Sequence, residues 1–250
     1  MARRARDLGS VLARYPKTRP TLPAKLQAIY TRQYLENRAG ATPAASASQA
    51  LERWLHRRVA ADTAGGPVPT LEIGAGTLNQ LNFEPPNAAY DIVEPFAELY
   101  ADSPLRGRVR QIFADVADVP ATRRYERITS VAALEHICDL PLTLARAARR
   151  LSDGGVLRTA IPSEGGFLWK LGWMCTTGLE FRLRHGLDYG LMMAHEHVND
   201  AFEIETLLRA LFEDVSVKSF GVGRQLSLYR FLAARRPRPD VITEWEARFS

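Results

Sequence analysis

Two groups of residues have the types and spacing to do chemistry. In Leu71-Glu72-Ile73-Gly74-Ala75-Gly76-Thr77-Leu78-Asn79 an apolar run meets two glycines one residue apart. Glycine carries no Cβ, so such a loop turns sharply and lets a ligand touch the backbone. Twenty residues past Gly74, Val93-Glu94-Pro95 ends the next apolar run on a carboxylate. A carboxylate there suits two ribose hydroxyls, each donating to one oxygen. The pair argues for a nucleoside-containing cofactor.

The missing residues narrow the choice. A dinucleotide fingerprint has a third glycine three residues beyond the second, so that a helix can pack beneath a pyrophosphate; here that position is Asn79. Glu72, just before the first glycine, is ill suited beside a pyrophosphate and well suited near a cationic amino-acid ligand. Together these point away from NAD and toward S-adenosylmethionine, whose sulfonium and ammonium are positive.

The second group lies further along. His136 follows an apolar run, and its ordinary pKa suits proton removal near neutrality; it is either a general base or a residue that shapes the cofactor site. Glu164, in Ser163-Glu164-Gly165-Gly166, either faces an acceptor as base or sugar ligand or sits in a solvent-facing loop. Residues 167–199 are too long for a simple connection and carry Trp169, Trp173 and His195-Glu196-His197-Val198-Asn199. Long insertions in compact domains are commonly lids or binding elements. Tryptophan suits a sugar or aromatic acceptor and equally a core. Glu196, His197 and Asn199 are expected to contact the acceptor or to open a helix. His195 and His197 lack the helical spacing of a hydrolytic zinc motif, and no metal is expected.

These residues need elements to position them. Val- and Ile-rich runs at residues 70–73, 90–93, 109–113, 127–132 and 156–161 read as strands separated by helices, hence a parallel sheet covered on both faces. Residues 21–60 read as helical, with Leu51, Trp54, Leu55 and Val59 on one face. Asp200 and Glu203 have capping-box spacing ahead of Ile204, Leu207, Leu208 and Leu211. Residues 215–220 and 225–232 read as two more strands, too close together for a crossover helix and therefore antiparallel neighbours.

Composition sets the bounds. The 250 residues are 46% hydrophobic and 24% charged, ordinary for one large domain. Cys138 and Cys175 read as reduced thiols of an intracellular, cytoplasmic protein, and no segment approaches the roughly 20 apolar residues of a membrane span. The net charge is +5, but the first twenty residues hold six of the 33 cations and one of the 28 anions. The remainder is neutral, which speaks against a nucleic-acid face. Residues 1–20 therefore read as a solvated basic tail. Residues 21–250 read as one domain: amino-terminal helices at 21–66, a cofactor-binding core at 67–162, an inserted acceptor or lid segment at 163–199, and a helix with a hairpin at 200–234.

Glu72-Ile73-Gly74-Ala75-Gly76, Glu94, Asp115-Val116-Ala117-Asp118-Val119-Pro120, Leu134-Glu135-His136 and Leu151-Ser152-Asp153-Gly154-Gly155 resemble, in order, the successive motifs of class I S-adenosylmethionine-dependent methyltransferases. The resemblance spans residues 71–161 and extends to about 234 with the hairpin. It implies a Rossmann-like, doubly wound α/β fold of seven strands with the cofactor across the strands' carboxyl ends. It implies that Gly74, Ala75 and Gly76 cradle the methionine and ribose parts, that Glu94 binds the ribose hydroxyls, and that Asp115 accepts from the adenine amino group near the Val116 amide. Leu78 stands where the family often has another glycine, and Pro85-Pro86 shortens the following helix. The expected activity is methyl transfer to a small polar acceptor such as a saccharide hydroxyl, with His136, Glu164 and His197 as catalytic candidates and Trp169, Trp173, Glu196 and Asn199 against the acceptor. Nucleic-acid methylation, NAD-dependent oxidoreduction and non-catalytic cofactor binding are the alternatives.

Overall fold

Strands form where Val, Ile and Tyr concentrate, because these side chains fill a pleated, buried surface. The computed structural model describes residues 7–27, 29, 45–223 and 225–250. Its seven strands are β1 (Thr70–Ile73), β2 (Tyr90–Val93), β3 (Gln111–Phe113), β4 (Tyr125–Val131), β5 (Leu151–Pro162), β6 (Phe212–Val222) and β7 (Leu226–Pro237). They form one sheet in the order β3-β2-β1-β4-β5-β7-β6. The first five are parallel, and β7 runs antiparallel to both of its neighbours. The expected terminal hairpin is present with longer arms. The strand order reverses between β1 and β4, which opens a crevice at their carboxyl ends.

The helices of the described residues include α1 (Leu8–Leu12), α2 (Ala45–Ala60), α3 (Leu140–Arg149), α4 (Phe167–Trp173), α5 (Leu179–His185), α6 (Tyr189–Glu196), α7 (Ala201–Leu211) and α8 (Pro239–Phe249), with a π turn at Met174–Gly178 between α4 and α5. The sheet's alternation sorts its contacts. Leu71, Ile73, Ile128, Leu157, Ile161 and Leu232 face the main core with α1, α3, α7 and α8. Ala160 and Phe231 face the other way, onto Leu55 and Val59 of α2. The capping box forms as read: the Asp200 carboxylate accepts from the Phe202 and Glu203 amides, and Glu203 accepts from the Asp200 amide.

Two expectations are corrected. The crossovers among β1, β2, β3 and β4 hold only short 3-10 turns, at Asn79–Asn82, Ala97–Leu99, Arg106–Arg108 and Val116–Asp118. Pro85 and Pro86 block helix continuation after β1. The loop carbonyls of Leu81, Glu84 and Pro85 are met instead by the Arg108 guanidinium. The second correction concerns the basic tail. Residues 7–20 are docked, not solvated: Val11, Leu12 and Tyr15 lie in the main core. Arg3, Arg4 and Arg6, and the helix expected across 30–44, lie outside the described residues.

Candidate active site

At the end of β1 the two glycines do different work. Gly74 adopts φ +70°, and a Cβ there would run into that of Ala133, so its bare backbone lets the ends of β1 and β4 pass closely. Its amide donates to Val93 O at 2.8 Å, tying β1 to β2. Gly76, at φ +51°, has nothing within 4 Å of where a Cβ would stand, so the loop leaves room on that side. The Gly76 amide donates to Glu94 Oε2 at 2.8 Å, and the Phe96 amide to Glu94 Oε1 at 3.0 Å. Both bonds orient the carboxylate at the tip of β2. Leu78, in the glycine position of the resemblance, takes φ +67°. The left-handed conformation costs a side-chain-bearing residue roughly 1–2 kcal/mol, and Leu78 offsets it by full burial with Ala75, Leu81, Tyr90 and Ile92.

Asp115 follows β3 and caps a turn. Its carboxylate accepts from the Ala117 amide at 2.6 Å, and its own amide donates to Asp118 at 3.0 Å. The side chain remains 54% exposed, while Val116 behind it is buried. Gly76, Glu94 and Asp115 thus mark the tips of three adjacent strands.

Glu72 is elsewhere. The alternation of β1 turns it away from Leu71 and Ile73, toward α2, where it is 2% exposed and accepts from the Tyr90 hydroxyl at 2.8 Å. Burial pushes its pKa up to about 7; Glu84 adds to the rise, while the Tyr90 hydrogen bond, His56 and Arg127 oppose it. The expected contact with a cationic ligand is corrected, because the carboxylate is enclosed beneath the sheet.

The acceptor-side candidates gather past the end of β4. Glu135 and His136 sit in a 3-10 turn, Leu134–His136. His197 ends α6, and Glu164 lies just beyond β5. His197 Nδ1 is 3.0 Å from Glu164 Oε2, which also accepts from the Trp169 indole at 2.5 Å. His136 Nδ1 is 2.9 Å from Glu196 O, and the two imidazole centroids are 5.0 Å apart. Burial alone would lower the His197 pKa, but its hydrogen bond to Glu164 and the charges of Glu135, Glu164 and Glu196 outweigh it and raise the value. Glu164 is held below the ordinary carboxylate range: burial opposes this, but the contacts from His197 and Trp169 prevail.

The docked segment closes one flank. Tyr15 donates its hydroxyl to Asn199 Oδ1 at 2.7 Å. Lys17 donates to Val198 O at 2.7 Å and to Glu203 at 2.8 Å. Arg19 spans the carbonyls of His136, His195 and Glu196 at 2.7–3.2 Å.

Of the candidates named from sequence, Glu164, His136, His197 and Trp169 come together. Glu196 joins through its backbone carbonyl. Trp173 packs against Tyr189, with ring centroids 5.9 Å apart. Asn199 is corrected: it is fully buried, its amide nitrogen donates to Leu134 O and Ile137 O, and its oxygen takes Tyr15. It clamps the β4 turn to the entry of α7 and has no group left for an acceptor. Sequence reasoning named Glu135 only within the Leu134-Glu135-His136 motif and gave no site role to Tyr15 or Arg19. For the last two, the spaced Pro16, Pro20 and Pro23 are the available signal, since they favour an extended strap over a helical or random tail.

The fold has known counterparts. The chain is similar to a SAM-dependent methyltransferase from Thermotoga maritima, with TM-score 0.50 and 15% identity, covering 73% of this chain and 90% of that one. It is also similar to an O-methyltransferase family protein from Burkholderia thailandensis, with TM-score 0.52 and 16% identity, covering 92% and 67%. No protein-family model and no curated protein matches the sequence. The fold is that of the class I S-adenosylmethionine-dependent methyltransferases: a seven-stranded, mostly parallel sheet closed by an antiparallel hairpin.

Proposed function

We propose that this protein transfers the methyl group of S-adenosylmethionine to a small polar acceptor, with a saccharide hydroxyl as the preferred class. The observation that carries the reading is the convergence of three adjacent strand tips: the open backbone at Gly76, the oriented carboxylate of Glu94 and the exposed carboxylate of Asp115. These fit the proposed cofactor. Room beside Gly76 admits a ligand against bare backbone, and the Glu94 carboxylate, oriented by the Gly76 and Phe96 amides, stands at the adjacent strand tip as an acceptor of the kind ribose hydroxyls take. Asp115 stands where an amino group of a base can donate, next to the Val116 backbone. Ala75 packs behind the loop and holds its shape.

When bound, the cofactor supplies a methyl group on a sulfonium, an activated carbon that needs no metal or base of its own. The chain's part is to place the acceptor. The close passage of Gly74 against Ala133 sets the β4 turn beside the glycine loop, so His136, Glu135, His197 and Glu164 line the acceptor side. Each imidazole is fixed through Nδ1, which turns Nε2 outward as a lone-pair donor. Trp169, anchored by its indole to Glu164 and packed edge-on to Tyr229 at 5.3 Å, offers the flat apolar face that a sugar ring covers. The docked segment braces one flank through Lys17 and Arg19.

Calorimetry with S-adenosylmethionine and with its demethylated product tests this directly. One site of micromolar affinity is expected for each. Gly74→Arg should weaken binding at least 100-fold, because the side chain must enter both the strained loop and Ala133. Folded wild-type protein that gives no heat with either ligand removes the reading. Tritiated methyl transfer to fractionated native extract then identifies the acceptor class.

A further inference from the structure

Past the end of β4 one carboxylate is in an unusual position. Glu135 is 1% exposed, and its Oε2 has no hydrogen-bond partner. A buried, unpaired carboxylate oxygen costs several kcal/mol unless a cation or donor meets it. Its neighbours do not supply a donor. His136 Nδ1 faces the Glu196 carbonyl and His197 Nδ1 faces the Glu164 carboxylate. Both partners are acceptors only, so in each neutral ring the proton sits on Nδ1 and Nε2 is a bare lone pair. The three side chains therefore present one carboxylate and two imidazole nitrogens to a common point. One donor atom from each lies within 4.8 Å of the others, and His136 Nε2 is 3.9 Å from Glu135 Oε1.

We infer that Glu135, His136 and His197 bind a divalent first-row transition metal ion such as Zn2+ or Mn2+, with Glu164 and the Glu196 carbonyl as outer-shell positioning groups. A ring nitrogen fixed by a carboxylate or carbonyl while the other faces the ion is the usual arrangement of metal-ligating histidine. Mixed imidazole and carboxylate donors favour these ions over Mg2+ and Ca2+, which prefer oxygen. Ligand bonds of about 2.0–2.2 Å require the donors to close up by roughly 1 Å, within reach of side-chain rotation about χ angles. This departs from the sequence expectation of no metal: the ligands are 62 residues apart in sequence at their extremes, so no local spacing announces them.

Three protein ligands leave a coordination position open. That position, beside the glycine loop, takes the acceptor oxygen, and the bound hydroxyl gives its proton to solvent more readily than a free one does. This use of the ion rests on the methyl-transfer reading; binding of the ion does not.

The test is calorimetry and elemental analysis of the untagged full chain after chelator treatment, titrated separately with ZnCl2, MnCl2 and MgCl2. One Zn2+ or Mn2+ per chain is expected at micromolar affinity or tighter, with Mg2+ at least tenfold weaker. Glu135→Gln should weaken binding 100-fold or more, and Glu164→Gln, which removes only the outer-shell carboxylate, about tenfold. Should Glu135→Gln fail to fold, X-ray absorption of the wild-type zinc complex decides: two imidazole ligands support the site, and fewer overturn it. Absence of Zn2+ and Mn2+ binding at millimolar concentration overturns the proposal, as does affinity unchanged in folded Glu135→Gln. S-adenosylmethionine binding measured on the same chelated protein separates this failure from failure of the cofactor reading.

Discussion

The two halves of the sheet are held up in different ways. From β4 onward, long helices lie on the strands: α3, α7 and α8 share one continuous apolar core that includes Leu140, Leu144, Leu207, Leu208 and Trp245. In the half built by β1, β2 and β3, the crossovers are turns of three or four residues and the apolar cluster beneath them is small. Arginines take the place of helices there. Arg127, reaching across from β4 and 2% exposed, bonds Glu84 of the β1–β2 connection at 2.8 and 2.9 Å, Asp62 at 3.0 Å and Val59 O at 2.8 Å. Arg108 holds three loop carbonyls. Asp91, fully buried, gathers Arg110, Arg123 and Tyr125. A half whose crossovers are loops is thus held by arginines that meet loop carbonyls and buried carboxylates.

The sharpest way to break this contrast is Arg127→Met. Removing one partner of a buried pair strands the other charge, so a loss of about 3–5 kcal/mol is expected in urea denaturation. Arg149→Met, at a half-exposed pair with Glu246 in the helical half, should cost about 1 kcal/mol or less. Equal losses would mean that the two halves are not differently built. Recovery in Arg127→Met/Glu84→Leu would confirm that the stranded carboxylate carries the cost.

A smaller effect is expected from pH. Glu72 titrates near 7 when folded and near its ordinary 4.5 when unfolded. The native state therefore holds a proton that the unfolded chain gives up between those values. Stability should fall as pH rises from about 4.5 to 7, by up to about 3 kcal/mol. The groups facing it are Tyr90, His56, Glu84 and Arg127. Glu72→Gln should flatten that slope in denaturation series across the range; an unchanged slope would locate the titration elsewhere.

The mildest test falls on the other half. Tyr15→Phe removes one hydroxyl and leaves the Asn199 oxygen without its donor, which should cost about 1–2 kcal/mol. Cofactor affinity by calorimetry should not change, since the Tyr15 hydroxyl bonds Asn199 and not the glycine loop. A parallel drop in cofactor affinity would show that the halves act as one unit.

Strand positions were legible because Val and Ile runs record burial residue by residue, and the sharp turn at Gly74 and Gly76 because two glycines after an apolar run announce its backbone shape. The capping box at Asp200 was legible for the same reason. The turns between β1 and β4 were not, since a carbonyl satisfied by Arg108 from 24 residues away leaves no periodic trace. Glu72 was misread because an acidic residue beside glycines says nothing about which face of its strand it occupies. Asn199 was misread because its three partners come from residues 15, 134 and 137.

The Tyr15–Asn199 bond joins residues 184 positions apart. A ribosome makes about 5–20 residues each second, so the early segment waits on the order of ten seconds for its berth. During that interval the Tyr15 hydroxyl lacks its Asn199 acceptor. The joint between the early segment and the entry of α7 consequently forms well after the glycine loop has been synthesised.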